Sequence, residues 1–313
     1  MTTEADVILT ARDVHRSFGG VRAVDVDRFE IERGSIVALI GPNGAGKTTF
    51  FNLLTGFEKA DGGTWTFEGQ ELAGKHAYAI AQAGMVRTFQ SARVFPRLSV
   101  TDNVRLGAQH QKGEFLGRAP FAWTWRSQDD ALQTRAAELV DWVGLGAKSG
   151  DFAGTLSGGQ RKLLELARSV MSSPTLLMLD EPMAGVNPAL RQALLDKISE
   201  LPGEGITVLF VEHDMDVVSA VSDRVVCMAE GSVIASGTAS EVAADERVIE
   251  AYLGGSSADL RDHVDRVAHE DVPVHDETAD PVTGAPEDGD RDLHAADPPA
   301  GDTPADEPPG ANT

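Results

Sequence analysis

The octapeptide GPNGAGKT, residues 41–48, constrains the fold most, because it matches the phosphate-loop pattern G-x-x-x-x-G-K-[ST] at every fixed position. The apolar run 36–40 before it predicts a buried parallel strand, and residues 49–54 after it predict the beginning of a helix. Glycines let successive N–H groups point at phosphate oxygens, and the helix N-terminus adds positive potential. A glycine-rich turn without a ligand is the disfavoured alternative. The sequence therefore predicts a nucleoside triphosphate site, with Lys47 on the outer phosphates and Thr48 on magnesium.

Composition limits the functions open to the chain. Its 313 residues and 42% hydrophobic content suffice for a sizeable core, in one large domain or two. The formal net charge of -22 argues against nucleic acid as the main ligand, since phosphate backbones are bound by Lys and Arg. Residues 256–313 hold 16 acidic residues, three arginines and eight of the 15 prolines, with no aromatic residue. We therefore expect residues 255–313 to form a disordered tail.

Other features indicate the compartment. The single cysteine, Cys227, excludes an internal disulfide, and its apolar neighbours predict a small buried residue in a strand. The polar N-terminal stretch 1–14 lacks the apolar core of a secretory signal. No run approaches the ~20 apolar residues that a bilayer crossing requires. We expect a cytoplasmic chain that reaches a membrane only through partners.

Two stretches with alternating polarity, residues 7–9 and 24–31, precede the phosphate loop and predict an antiparallel flap whose turn is Gly19-Gly20. Phe18 lies just before that turn. An aromatic face at this position can stack on an adenine ring. A core aromatic is an equally good interpretation of Phe18.

A strand predicted over residues 85–90 ends in Gln90, and α/β proteins bind ligands at the carboxyl ends of their strands. Ser99 or Thr101 is expected to cap a helix soon afterwards. Residues 131–143 regain helical periodicity, so the region after Gln90 reads as a mainly helical insertion. The aromatic residues in its loosely patterned part indicate either core or a docking site: Phe115, Phe121, Trp123 and Trp125.

The stretch LSGGQ, residues 156–160, is the second strong motif. Ser157 is expected to cap a helix that begins with glycines, which leaves backbone N–H groups uncovered as an anion site. A simple glycine-rich cap would give the same pattern.

Carboxylates and a histidine follow two apolar runs. Residues 175–179 predict a buried strand that ends in Asp180 and Glu181. Such carboxylates are costly unless they face a cation or a reacting water, so we expect a magnesium ligand and a general base. Residues 206–211 predict another strand, which leads to His213. A lone histidine is usually structural, but this one lies at a strand's carboxyl end beside the expected phosphates.

Taken together, these motifs resemble the ATP-binding subunit of an ABC transporter. GPNGAGKT resembles its Walker A loop, Gln90 its Q-loop, LSGGQ its signature, LLMLDEP its Walker B strand and His213 its switch histidine, in the family's order. The resemblance covers roughly residues 7–254. The stretches RSFGGVRAV, DEPMAGVNP, VEHDM and VIEAYLG are similar to the branched-chain amino acid importer's ATPase of the LivG type.

The resemblance implies an α/β fold with a P-loop NTPase core: a parallel sheet, an N-terminal antiparallel β subdomain and an inserted helical subdomain, approximately residues 91–165, within a domain of residues 1–254. It implies ATP hydrolysis that drives uptake of branched-chain amino acids or related small solutes. The implied partners are a second ATPase subunit, transmembrane permease subunits and a solute-binding protein, with the chain at the cytoplasmic face of the cell membrane. Alternatives are a transporter ATPase for urea or lipopolysaccharide and a soluble non-transport ABC ATPase.

The resemblance also assigns the site. Glu181 would polarise the attacking water, with His213 and Gln90 beside it, and Thr48, Gln90 and Asp180 would hold Mg²⁺. ATP would lie between the Walker A loop of one subunit and the signature of the other. The implied nucleotide-binding residues are Phe18, Gly41, Pro42, Asn43, Gly44, Ala45, Gly46, Lys47, Thr48, Thr49, Ser157, Gly158, Gly159 and Gln160.

Three features depart from the family pattern. Asn187 stands where the broader family commonly has an aspartate, which alters a polar contact across the dimer. LSGGQ is the general signature, whereas LivG-type proteins often carry a tyrosine there. The acidic tail is no part of the pattern.

Overall fold

Two β-sheets with helices packed on them make up residues 7–88, 93–109 and 126–253, which the computed structural model describes, Arg126 by its backbone only. The strands are β1 Val7–Phe18, β2 Val21–Glu32, β3 Ile36–Ile40, β4 Gly62–Phe67, β5 Gln70–Glu71, β6 Met85–Arg87, β7 Leu176–Asp180, β8 Thr207–Val211, β9 Arg224–Ala229 and β10 Ser232–Gly237. The helices are α1 Lys47–Leu54, α2 Ala77–Gln82, α3 Val100–Arg105, α4 Arg126–Trp142, α5 Gly158–Met171, α6 Pro188–Glu200, α7 Met215–Val221, α8 Ala239–Ala243 and α9 Glu246–Leu253.

The smaller sheet is antiparallel, with strand order β2-β1-β4-β5. Its first two strands turn at Gly19-Gly20, as predicted, and both glycines have positive φ. β1 is longer than the predicted stretch 7–9. It pairs with β2 on one side and β4 on the other. Backbone pairing on both sides keeps Arg12 and His15 in the strand, although their polar side chains give no strand pattern in the sequence.

The larger sheet has the order β10-β9-β3-β8-β7-β6, with β9, β3, β8, β7 and β6 parallel and β10 antiparallel at the edge. The central strands β3, β7 and β8 are buried along their whole length, which is why they read as continuous apolar runs. Because these strands are parallel, their carboxyl ends lie at one edge of the sheet.

Two hydrophobic clusters lie on the two faces of this sheet. Ile36, Ala38 and Ile40 join one cluster, and Val37 and Leu39 join the other, as the two-residue period of a strand requires. The first cluster includes the apolar face of α5, and the second includes the fully buried aromatic rings of α1. The helix that follows the phosphate loop is therefore fixed to the sheet by core packing.

The helices α3, α4 and α5 pack against one another. Ser99 caps α3 by accepting a hydrogen bond from the amide of Asp102, which selects Ser99 over Thr101. The predicted helix 131–143 is present as α4, which begins five residues earlier. The irregular aromatic residues between α3 and α4 lie outside the described residues, as does the acidic tail.

Cys227 lies in β9 and is buried, as predicted. Burial raises the pKa of its thiol to about 12. The thiol is therefore protonated at neutral pH, and its role is that of a small apolar side chain in the core.

Candidate functional site

The phosphate loop connects β3 to α1, and its backbone accounts for its glycines. Gly46 has a φ of 97°, and a Cβ there would run into the Ala23 carbonyl. Gly41 has a φ of 146°, and a Cβ there would run into the Met228 carbonyl. Both glycines are therefore required by the shape of the loop, which leaves its N–H groups for a ligand.

Lys47 is the first residue of α1, and its ammonium folds back over the loop. Nζ donates to the carbonyl oxygens of Gly41 at 2.5 Å and Pro42 at 3.0 Å. Burial lowers its pKa, while the nearby carboxylates of Glu181 and Asp180 act in the opposite direction. The cation and both carboxylates therefore meet at this edge of the sheet.

Asp180 ends β7, and Glu181 follows it immediately. Glu181 adopts a φ of 46°, a left-handed conformation that is uncommon outside glycine. Its amide donates to the Val211 carbonyl at 3.0 Å, and its carbonyl accepts from Nζ of Lys162 at 3.5 Å. These two bonds fix the backbone of Glu181 at the point where β7 ends.

His213 follows the neighbouring strand β8, as predicted, and its side chain is 60% exposed. It is therefore no core histidine. Glu212, which precedes it, is only 1% exposed. The Oε2 atom of Glu212 lies 3.7 Å from Nδ1 of His213, and Oε1 accepts from the amide of Met183 at 2.9 Å. We did not predict a role for Glu212, because a carboxylate beside a histidine has no distinguishing spacing.

Arg87 is a second residue that the sequence did not reveal. It ends β6, and its Nη2 donates to Oδ2 of Asp180 at 2.7 Å. The expectation of a metal ion or a water opposite Asp180 was therefore incomplete, since a protein cation already faces it. An arginine 93 positions before its partner carries no sequence signal for the pairing.

The signature residues begin α5. The Ser157 hydroxyl accepts from the amide of Gln160, and Oε1 of Gln160 accepts from the amide of Ser157, which forms a capping box. Ser157 and Gly158 are exposed. Gly159 is buried, and a Cβ there would lie 2.7 Å from Cδ1 of Leu190. Among the described residues, no hydrogen bond or ion pair joins residues 157–160 to the phosphate loop.

Phe18 is 44% exposed, so the alternative interpretation as a core aromatic is wrong. The guanidinium carbon of Arg16 lies 4.7 Å from its ring centroid. Arg16 also pairs with Asp61 at 2.6 Å and Glu58 at 2.9 Å. These bonds hold the guanidinium against one face of the ring.

The residues expected to hold magnesium supply oxygen donors, which suit that ion. Thr48 lies at the start of α1, and Asp180, at the end of β7, is close enough to the Lys47 ammonium to influence its pKa. In the described ranges, no three His, Cys, Asp or Glu side chains form a metal cage. This fits magnesium, which binds one or two protein oxygens together with substrate phosphates and waters. Gln90, the third expected ligand, lies outside the described residues.

The profile of the ABC transporter family matches residues 24–184, which include the phosphate loop, the signature and the carboxylates after β7. The chain belongs to the ABC transporter family. A second profile, described as branched-chain amino acid ATP-binding cassette transporter, matches residues 232–258 of this ABC chain.

Curated relatives extend the match over most of the cassette. The probable branched-chain amino acid transport ATP-binding protein LivG of Archaeoglobus fulgidus is 36% identical over 253 residues, 81% of this chain and 98% of the relative. The high-affinity branched-chain amino acid transport ATP-binding protein LivG of Salmonella typhimurium is 42% identical over 251 residues, which are 79% of this chain and 98% of the relative. The corresponding BraF of Pseudomonas aeruginosa is 40% identical over 250 residues, with the same coverage.

Solved structures of ATP-binding cassettes also align with this chain. A nucleotide-free ATP-binding cassette from an ABC transporter aligns with a TM-score of 0.68 and 33% identity, over 79% of this chain and 98% of that one. The ADP conformation of an ATP-binding cassette aligns with a TM-score of 0.69 and 33% identity, over 79% and 99%. These neighbours confirm the predicted ABC ATPase fold. In the described part of the chain, no helix is both long and apolar enough to span a membrane.

Proposed function

We propose that this ABC chain hydrolyses ATP and thereby drives the uptake of branched-chain amino acids through separate permease subunits. The observation that carries the catalytic part is the meeting of Lys47, Asp180 and Glu181 at one edge of the parallel sheet. A cation for the phosphates, a magnesium ligand and a general base are the groups that hydrolysis of a phosphoanhydride needs.

Each group has one task. The N–H groups of the phosphate loop and Lys47 bind the outer phosphates, and the Lys47 ammonium leaves its loop carbonyls to do so. Thr48 and Asp180 would hold magnesium, together with Gln90, and the ion would supply positive charge that neutralises the phosphates. Glu181 accepts the proton of the attacking water, and the exposed His213 donates a hydrogen bond to the transferred phosphoryl group.

A second copy of the cassette, or a related one, completes the site. Ser157 and Gly158 at the start of α5 are exposed, so the N–H groups there are open to a phosphate that another subunit provides. ATP bound at the loop would then lie between the two subunits and hold them together. Hydrolysis breaks the bond between the β- and γ-phosphates, so the terminal phosphate no longer links the two subunits through the nucleotide, and the dimer opens.

The permease would dock on a cleft beside β6. This cleft has a volume of about 480 Å³, and its lining includes Val86, Thr88, Phe95, Leu106 and Arg168. Phe95 is 52% exposed and Leu106 is 51% exposed. An apolar opening rimmed by arginine is typical of a protein contact surface. Its position next to the strand that leads to Gln90 would link docking to nucleotide state.

The cargo is inferred from two observations. The profile that matches residues 232–258 and the curated relatives all carry branched-chain amino acid transport in their descriptions. The relatives match along 98% of their own length, so the cassette is shared in full. A solute-binding protein would deliver the amino acid to the permease from the opposite side of the membrane.

Reconstitution tests this function. The chain is purified with its membrane partners, and the complex is placed in vesicles with ATP and magnesium on the side of the cassette and the solute-binding protein on the opposite side. Uptake of labelled leucine and of labelled urea is then compared. We expect ATP-dependent leucine uptake that Glu181→Gln abolishes. Urea uptake in place of leucine uptake would contradict the cargo, and ATP-independent uptake would contradict the mechanism.

A further inference from the structure

We propose that Arg87 is a positioning residue for the magnesium-bound nucleotide, which fixes the carboxylate of Asp180 and ties it to the helix that carries Thr48. This inference rests on the proposed function, because it concerns the magnesium site of the same reaction. The observation behind it is a guanidinium that contacts both the end of β7 and α1.

The Arg87 guanidinium spans these elements with separate nitrogen atoms. Nη2 donates to Oδ2 of Asp180 at 2.7 Å, and Nη1 donates to Oδ1 of Asn52 at 2.6 Å. Nη1 also lies 3.4 Å from Oγ1 of Thr55. Asn52 and Thr55 belong to the helix that starts at Lys47 and Thr48, or cap its end. The two predicted magnesium ligands are therefore connected through Arg87.

The bond between Arg87 and Asp180 is shielded from water. Their side chains are 5% and 8% exposed, and the Arg87 guanidinium lies 5.5 Å from the ring centroid of Phe51 and 5.9 Å from that of Phe57. In such surroundings an ion pair keeps one geometry, since neither partner can turn to solvent. Among the described residues, Arg87 is the donor to Asp180, and it contacts Oδ2, so Oδ1 can face the ion.

The planar guanidinium, with donors pointing in two directions, explains why position 87 carries arginine and not lysine. Arginine donates along two directions in a fixed plane, whereas the ammonium of lysine is a single point charge. Lysine at position 87 could reach the carboxylate or the Asn52 amide oxygen but could not hold both in the observed arrangement. Arg87→Lys should therefore retain part of the effect, and Arg87→Gln should retain less.

A positioning role and a purely structural role predict different binding data. Without magnesium, phosphates meet the loop amides and Lys47, and no hydrogen bond or ion pair between Arg87 and those groups is present in the described residues. With magnesium, binding also depends on the orientation of Asp180. Loss of Arg87 should therefore weaken nucleotide binding only when magnesium is present. A general loss of structure would weaken both.

The experiment measures the dissociation constant of a non-hydrolysable ATP analogue by calorimetry, once with Mg²⁺ and once with EDTA, for the full chain. The thermal midpoint of each variant is recorded in parallel. The wild type should bind more tightly with Mg²⁺. In Arg87→Gln this magnesium-dependent gain should fall about tenfold, with the EDTA value unchanged, and in Arg87→Lys it should fall by less. Arg105→Gln, which breaks a pair between α3 and Asp129 of α4, is the control and should keep the full gain.

Each outcome is decisive. An unchanged gain in a folded Arg87 variant, or equal weakening with Mg²⁺ and with EDTA, would overturn the proposal. If Arg87→Gln does not fold, the same criterion is applied to Arg87→Lys, which keeps a cation beside Asp180. Absence of a magnesium-dependent gain in the wild type would instead contradict the magnesium site of the proposed function.

Discussion

The Oε1 atom of Glu212 accepts a 2.9 Å hydrogen bond from the backbone amide of Met183. Met183 lies two residues after Glu181, and Glu212 directly precedes His213. This bond therefore fixes the segment that follows the proposed general base to the strand end that carries the histidine. Burial raises the pKa of Glu212 above its ordinary value, although the amide bond opposes that shift.

The raised pKa predicts a pH-dependent effect of Glu212→Gln on stability. Because the folded-state pKa lies above the ordinary value of 4.5, the stabilisation linked to this group is complete below that value and is lost as the pH rises toward the folded-state value. Glutamine does not ionise and can still accept the Met183 bond through its carbonyl. The thermal midpoint of Glu212→Gln minus that of the wild type should therefore become more positive from about pH 5 to about pH 8. A difference independent of pH would contradict the shifted pKa.

Lys47→Ala should weaken ATP binding itself. The substitution removes the cation that faces the outer phosphates, and charged hydrogen bonds of this kind contribute about 1.5–3 kcal/mol, or roughly tenfold to a hundredfold in the dissociation constant. Equilibrium binding of ATP measures the change. Lys59→Ala, which removes an exposed lysine shortly after α1, is the control and should bind as the wild type does. Equal affinities of Lys47→Ala and the wild type would remove Lys47 from the site.

The parts of the fold and site that could be predicted share a local origin. The phosphate loop, the β7 carboxylates and the Ser157 cap each follow from residues adjacent in sequence, whose spacing reports directly on strand, turn or helix end. The contact of Arg87 with Asp180 depends on β6 pairing with β7, a long-range arrangement without a local pattern. The buried state of Glu212 likewise depends on what packs around the end of β8. Polar residues that act through tertiary contacts are therefore the ones that sequence reasoning missed.

Phe18→Ala should reduce ATP affinity by about tenfold, because stacking of a base on an aromatic ring contributes about 1–3 kcal/mol. The ring is accessible, and Arg16 covers only one of its faces. Val21→Ala, on the other side of the same turn and 70% exposed, serves as the control. ATP and inorganic triphosphate are titrated into each variant. A stacking role requires that Phe18→Ala affects ATP and spares triphosphate, and equal effects on both would exclude it.

Phe95→Ala should reduce co-purification with the permease and leave the thermal midpoint within a few degrees of the wild-type value, because an exposed ring contributes little to the core. Phe152→Ala removes a ring that is 61% exposed and does not line the cleft, so it should leave co-purification intact. If Phe95→Ala lowers the midpoint as strongly as it lowers co-purification, the lost co-purification reflects lost stability and the docking surface lies elsewhere.

The most direct test of the account is ATP hydrolysis by Glu181→Gln, assayed together with ATP binding in the complex with the membrane subunits. Glu68→Gln is a matched control, since Glu68 also follows a strand with a positive φ, 49° against 46° for Glu181, but lies in the turn between β4 and β5 of the antiparallel sheet. We predict that Glu181→Gln binds ATP as the wild type does and hydrolyses it about 10²–10⁴-fold more slowly, because the base is lost and the shape is kept. Turnover at the wild-type rate in Glu181→Gln would contradict the account.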